Sequence, residues 1–176
     1  MAEKIKEAVV FNQEDIDRKV VLTAGDKAPE FELENSDGVS IGLRDFRGKN
    51  VVLYFYPKDN TPGCTTEACE FSANYDEFIA NDTVIVGISP DSAKSHSGFI
   101  AKQNLKHILL SDINKEVAKA YGVWQVRKNY GKEYLGIVRT TFIIDKEGKI
   151  AKVYKSVKAA GHAAKVLADL IKQAIC

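Results

Sequence analysis

Residues 50–71 read NVVLYFYPKDNTPGCTTEACEF. The opening stretch, 50–57, is a continuous apolar run that stops at Pro57. Without polar alternation, such a run reads as a central strand buried on both faces. Further on, Ala68, Phe71, Tyr75, Phe78 and Ile79 recur at spacings of three and four, which predicts a helix. Between them, Pro62-Gly63 suits a tight strand-to-helix turn. The segment therefore reads strand, turn, helix. Two of the chain's three cysteines, Cys64 and Cys69, fall at the start of that helix.

The rest of the chain extends the pattern. FELEN (31–35) and VSIGL (39–43) flank Ser36-Asp37-Gly38 as an N-terminal hairpin, and Val20–Leu22 could add a strand before it. TVIVGIS (83–89) is a second buried strand, followed by a helix over about 93–104 with Phe99 and Ile100 inward. HILLSD (107–112) reads as a short strand, and Asp112 caps a helix running through Tyr121 to Gly122. IVRTTFIID (137–145) and KIAKVYKSV (149–157) form a closing hairpin about Lys146-Glu147-Gly148. A final helix over 162–175 sets Ala163, Val166, Leu167, Leu170, Ile171 and Ala174 on one face. Alternating strands and helices predict a parallel core covered on both sides, and the last hairpin adds antiparallel strands. The expected class is α/β with a thioredoxin-like fold: a central mixed sheet flanked by helices, with an N-terminal hairpin. Residues 1–24 read as an N-terminal extension and 25–176 as the domain.

Composition limits the function. The chain has 176 residues with 45% hydrophobic content, enough for one packed domain. Its 25 basic and 24 acidic residues balance, which leaves no electrostatic footprint for nucleic acid or an anionic membrane. No apolar run approaches the roughly 20 residues of a membrane helix. The N-terminus is interrupted by charge and carries no secretion signal, so a cytoplasmic protein is expected. In a reducing compartment a close cysteine pair is more often catalytic or metal-binding than a structural disulfide.

A metal is the poorest reading of the pair. The iron–sulfur spacing C-x4-C-x2-C finds Ser72 in its third slot, and His96, His107 and His162 lie scattered. A static disulfide meets a geometric obstacle. On an intact helix the two Cα atoms sit roughly 8.7 Å apart, from ~7.5 Å of rise and ~140° of rotation. A disulfide needs about 4.4–6.8 Å, so the helix turn must unwind first. Two inert core thiols stay possible, since cysteine is often buried. A reactive thiol is the other possibility. Cys64 continues the apolar stripe toward a buried pocket, whereas Cys69 points about 130° away. Free N–H groups at a helix start favour a thiolate. An ordinary thiol is only about 3% ionised at pH 7, and the helix dipole supplies about 0.3–1 kcal/mol, so a reactive thiol here needs a cation as well. Arg139, alone in an otherwise apolar predicted strand, is a candidate, although a strand-edge ion pair would also explain it.

The stretch Pro57-Lys58-Asp59-Asn60-Thr61-Pro62-Gly63-Cys64 closely resembles the P-x-x-x-T-x-x-C motif of the peroxiredoxins. The second cysteine five residues on is similar to the bacterioferritin comigratory protein, or Q-type, subgroup. AGDKAPEFEL (24–33), VGISPDS (86–92) and RTTFIID (139–145) also resemble family segments, and the likeness runs from about Gly25 to the C-terminus. The resemblance implies a thiol peroxidase acting on hydrogen peroxide and organic hydroperoxides without cofactor or metal. Cys64 would be the peroxidatic cysteine and Cys69 the resolving one, joined in an intramolecular disulfide that thioredoxin or a similar dithiol reduces. Thr61 would hydrogen-bond thiolate and peroxide, where a helix cap is its ordinary role. Pro57 would shield the pocket, Arg139 would supply the cation and Glu67 would orient it. The subgroup also implies a monomer. Cys176 is an additional terminal thiol, and His96 in SHSGF resembles a family position, although a surface histidine is its ordinary reading.

Overall fold

Strand β3 (Asn50–Phe55) occupies the middle of the molecule, with every residue buried. The computed structural model describes residues 20–172. Before β3 come β1 (Glu32–Asn35), β2 (Ser40–Gly42) and one 3-10 turn (Leu43–Phe46). After it come α1 (Pro62–Ala73), α2 (Tyr75–Ala80), β4 (Thr83–Ser89), α3 (Ala93–Gln103), β5 (Ile108–Ser111) and α4 (Glu116–Ala120). The chain then runs through β6 (Trp124–Asn129), β7 (Lys132–Ile137), β8 (Thr140–Ile144), β9 (Ile150–Tyr154) and α5 (His162–Lys172).

Seven strands form one mixed sheet in the order β2-β1-β5-β4-β3-β8-β9. Its core β5-β4-β3 is parallel, and β8, β9, β1 and β2 join antiparallel. This is the thioredoxin-like architecture that the element order predicts. Alternation along β3 divides the core. Val51, Leu53 and Phe55 face the side covered by Val117, Ala118 and Tyr121, and Val52, Tyr54 and Tyr56 face the side covered by α1, α2, α3 and α5. In β4, Gly87 makes room for that second layer. A Cβ there would lie 2.7 Å from the Tyr54 ring.

Several details differ from the expectation. Trp124–Asn129 and Lys132–Ile137 pair as a separate two-stranded ribbon that the sequence reading passed over. Most of its side chains are exposed, so it has no apolar face to reveal it. The strand expected over 137–145 is broken: Val138 and Arg139 lie between β7 and β8, where the chain crosses from ribbon to main sheet. The Val20–Leu22 strand does not form. Leu22 packs on the core, but Asp26 accepts the Thr23 amide in a turn, so pairing begins only with Gly25 N to Ile150 O. The helix read through Ile79 is two helices that meet at Asn74, whose backbone (φ −99°, ψ 8°) leaves the helical range and whose side chain donates to the Glu70 carbonyl. Ile79 and Ile171, expected inward, are exposed. Asp112 does cap a helix, through Val117 N and Ala118 N, but α4 starts only at Glu116. Cys176, Ala174 and most of the N-terminal extension lie outside the described residues.

Candidate active site

The end of β3 leads into a short exposed loop and then into α1. Pro57 is exposed there, and Asn60 adopts a left-handed backbone with φ 61°. Asparagine tolerates that conformation better than most side chains. Thr61 is the N-cap residue of α1 with Pro62 at its first position, but the Thr61 hydroxyl does not cap the helix. It donates instead to the Lys58 carbonyl at 2.8 Å. Its proton is thus committed within the turn, and the Oγ lone pairs are left as acceptors.

Cys64 is 1% exposed and packs in the core among Tyr54, Tyr56 and Phe71. Its Sγ accepts a hydrogen bond from Arg139 Nη2 at 3.2 Å. The other arm of the guanidinium, Nη1, donates to Glu67 Oε1 at 2.7 Å. Glu67 lies one helical turn after Cys64, which sets both on the same face of α1. The break between β7 and β8 aims Arg139 at that face, and the Arg139 carbonyl is held by Val157 N at 2.9 Å. Gly63 lets the guanidinium approach, since a Cβ there would stand 3.2 Å from Nη2.

The electrostatics of this trio are dominated by burial. Burial pushes Glu67 up to about 7 against the pull of Arg139, and Oε2 has no hydrogen-bond partner. Arg139 itself is raised: burial opposes its charge, but Glu67 and Cys64 outweigh it. His162 is lowered to about 4, first by burial and then by the Arg139 charge. The site thus has one firm cation, whose two arms bridge a thiol sulfur and a carboxyl group. Cys69 is half-buried, packs against the same core cluster as Cys64, and lies with its Sγ 3.6 Å from Gln103 Oε1. Both cysteines are free thiols, and α1 is regular across them.

Of the residues singled out in the sequence, Cys64, Arg139 and Glu67 come into direct contact. Thr61 and Pro57 sit on the loop before α1 without a hydrogen bond to that trio among the described residues, and Cys69, packed on the same core cluster, bonds Gln103 instead. Two buried polar chains were missed. In one, His107 joins Tyr54 Oη at 2.7 Å to Ser72 Oγ at 2.9 Å, tying α1 to the sheet. In the other, His96 is fully buried rather than at the surface, and bonds Asp59 beneath the loop. The alternation of β3, continued one residue on, points Tyr54 and Tyr56 to one face and signals that each buried hydroxyl needs a partner, but not which residue supplies it. Among the described residues no cluster of His, Cys, Asp and Glu gathers to ligate a metal.

The chain and its fold have clear counterparts among known proteins. The model of the AhpC/TSA family matches residues 24–153. The chain is 48% identical over 151 residues to Peroxiredoxin Bcp of Bacillus subtilis, covering 86% of this chain and 96% of that protein. It is 55% identical over 149 residues to the putative peroxiredoxin bcp of Helicobacter pylori strain 26695, covering 85% and 98%. Among solved structures it is similar to the Xanthomonas campestris bacterioferritin comigratory protein, studied for alkyl peroxide reduction. The TM-score is 0.81 at 41% identity, covering 86% of this chain and 99% of that one. A cysteine mutant of Xylella fastidiosa PrxQ matches with a TM-score of 0.84 at 36% identity, covering 88% and 99%.

Proposed function

The chain belongs to the AhpC/TSA family, in its bacterioferritin comigratory protein or Q-type peroxiredoxin branch, and we propose that it reduces hydrogen peroxide and organic hydroperoxides through Cys64. The observation that carries this reading is the bond from Arg139 Nη2 to the buried Cys64 Sγ at the start of α1.

The Cys64 thiolate attacks one oxygen of ROOH. An S–O bond forms, the O–O bond breaks, and the departing oxygen takes a proton and leaves as ROH or water. Sulfur is oxidised to the sulfenic acid as the peroxide is reduced. Charge developing on the departing oxygen is stabilised by Arg139 and by the free amides at the α1 start. The Thr61 Oγ, whose proton goes to Lys58 O, accepts from the peroxide O–H and orients it. Glu67 holds the second arm of Arg139, and Pro57 screens the loop side of the pocket. Cys69 then displaces hydroxide from the sulfenic sulfur, giving water and a Cys64–Cys69 disulfide. The distance between the two positions on a regular helix requires the first turns of α1 to open for this step. Thiol exchange with a dithiol protein, thioredoxin or one like it, returns both thiols.

Peroxide consumption coupled to thioredoxin and its reductase tests the reading, with mass measurement after one equivalent of peroxide. The wild type should lose two hydrogens as an internal disulfide. Cys64→Ser should be inert, and Cys69→Ser should consume one equivalent and stop. Full turnover by Cys64→Ser would remove Cys64 as the nucleophile.

A further inference from the structure

The loop that carries Thr61 is held in an unusual way. Between Tyr56 and Cys64, Asp59 is the only fully buried side chain. Three donors converge on its carboxylate: Tyr56 Oη at 2.6 Å, Ser95 Oγ at 2.8 Å and His96 Nδ1 at 2.8 Å. Its own amide donates to Asp91 Oδ2 at 2.8 Å, and Asp91 also accepts from Ser89 Oγ. Burial works against the Asp59 charge, but the hydrogen bonds from His96, Tyr56 and Ser95 outweigh it and lower its pKa. The anchor is therefore a carboxylate.

His96 is the part of this arrangement that reaches beyond the loop. Its ring is fully buried, and both nitrogens face acceptors: Nδ1 the Asp59 carboxylate, Nε2 the Leu110 carbonyl of β5 at 2.9 Å. It links the loop to the middle of the sheet through a single rigid ring. A buried polar contact of this kind contributes little to net stability over a well-packed apolar substitute, so stability alone gives weak reason for one here. The turn that it anchors begins at Lys58, whose carbonyl orients the Thr61 hydroxyl, and ends where α1 presents Cys64.

We infer that His96 is a positioning residue of the peroxide reaction: by gripping Asp59 it fixes the 58–61 turn, and with it the Thr61 oxygen that receives the peroxide. The inference rests on the peroxidase reading above. It separates two reactivities of the same thiol. The Arg139–Cys64 contact does not run through Asp59, and a small alkylating agent carries no O–H for Thr61 to accept, so its attack needs the thiolate and access to it but does not depend on the Thr61 oxygen. Attack on a peroxide does.

Two substitutions divide the two contacts of the ring. The side-chain amide of His96→Asn stands near the position of Nδ1 and keeps the bond to Asp59, while that of His96→Gln stands near Nε2 and keeps the bond to Leu110. Each deletes one buried hydrogen bond, so both should lower the melting temperature to a similar extent. The second-order rate of the first oxidation by hydrogen peroxide is measured beside the rate of alkylation by iodoacetamide. His96→Gln should lose about tenfold or more in the peroxide rate, the scale of a sub-ångström misplacement, with alkylation nearly unchanged. His96→Asn should stay within about threefold of wild type in both. Ser95→Ala, a milder change, keeps the test open if a histidine variant does not fold. It should lower the peroxide rate alone, by about threefold. Equal losses in the two histidine variants, or parallel losses in both rates in any variant, would overturn the assignment. A wild type inert toward peroxide would instead sink the peroxidase reading, and this inference with it.

Discussion

Glu67→Gln should abolish a pH dependence of stability that a buried carboxyl creates. Glu67 is 0% exposed, has one unpartnered oxygen, and is pushed up to about 7 by burial despite Arg139. Its folded pKa lies above its unfolded value, so the folded form binds a proton more tightly. The associated stability is present in full below the unfolded value near 4.5 and is lost as pH rises through about 7. Linkage puts the penalty at about 1 kcal/mol at pH 5 and about 3 kcal/mol at pH 8, a swing of about 2 kcal/mol. Glutamine keeps a carbonyl oxygen for Arg139 Nη1 and cannot titrate. The assay is urea unfolding at both pH values, in a Cys64→Ser background so that the thiol does not contribute. Other groups titrate alike in both chains and cancel in the double difference. The parent should lose about 2 kcal/mol more than the Gln variant between pH 5 and 8. Identical slopes would mean that Glu67 is ionised throughout and that Arg139 fully compensates its burial.

Gly63→Ala should slow oxidation by peroxide about two- to tenfold by pushing Arg139 off the sulfur, since the new Cβ would meet Nη2 at 3.2 Å. Its melting temperature should hold or rise, because alanine favours helix, and a drop in both would mark a folding defect instead. His107, lowered to about 3 by burial, has the opposite linkage to Glu67: its stability is present above about 6.5 and is lost as pH falls. His107→Gln should therefore flatten acid unfolding by about 2 kcal/mol at pH 5, and an unchanged acid limb would contradict the buried neutral ring. Peroxide oxidation should lower amide protection over residues 64–70 and spare 75–80, because Ser72 and Phe71 pin α1 to His107 and Tyr54. Equal protection of both forms, with the disulfide confirmed by mass, would show that the first turns need not open.

The fold was legible because its central strands carry a continuous apolar code. VVLYFY and TVIVGIS cannot be anything but buried, and the elements between them alternate cleanly. The ribbon of β6 and β7 was illegible for the converse reason: it buries almost nothing, so no periodicity separates its side chains from those of a loop. Ile79 and Ile171 show the limit of reading stripes. Each lies at the rim of its helix, where a shift of one residue in the packing face decides burial.

The site was legible in its residues and not in its backbone. Arg139 stands out as a lone charge in a segment that reads as a strand, yet a strand interior would fix its direction by the pleat of the sheet alone. The chain breaks there instead, at the step from ribbon to main sheet, and that break lets a guanidinium reach from the β7–β8 crossing toward α1. The exposed ribbon and the placement of the cation are thus linked, because β7 ends at Ile137, two residues before Arg139. His96 was harder still. Nothing in SHSGF distinguishes a buried ring from a surface one, because its partners, Asp59 and the Leu110 carbonyl, are distant in sequence. Long-range polar partnerships leave no period in a sequence, and here the loop beside the reactive thiol is anchored by one.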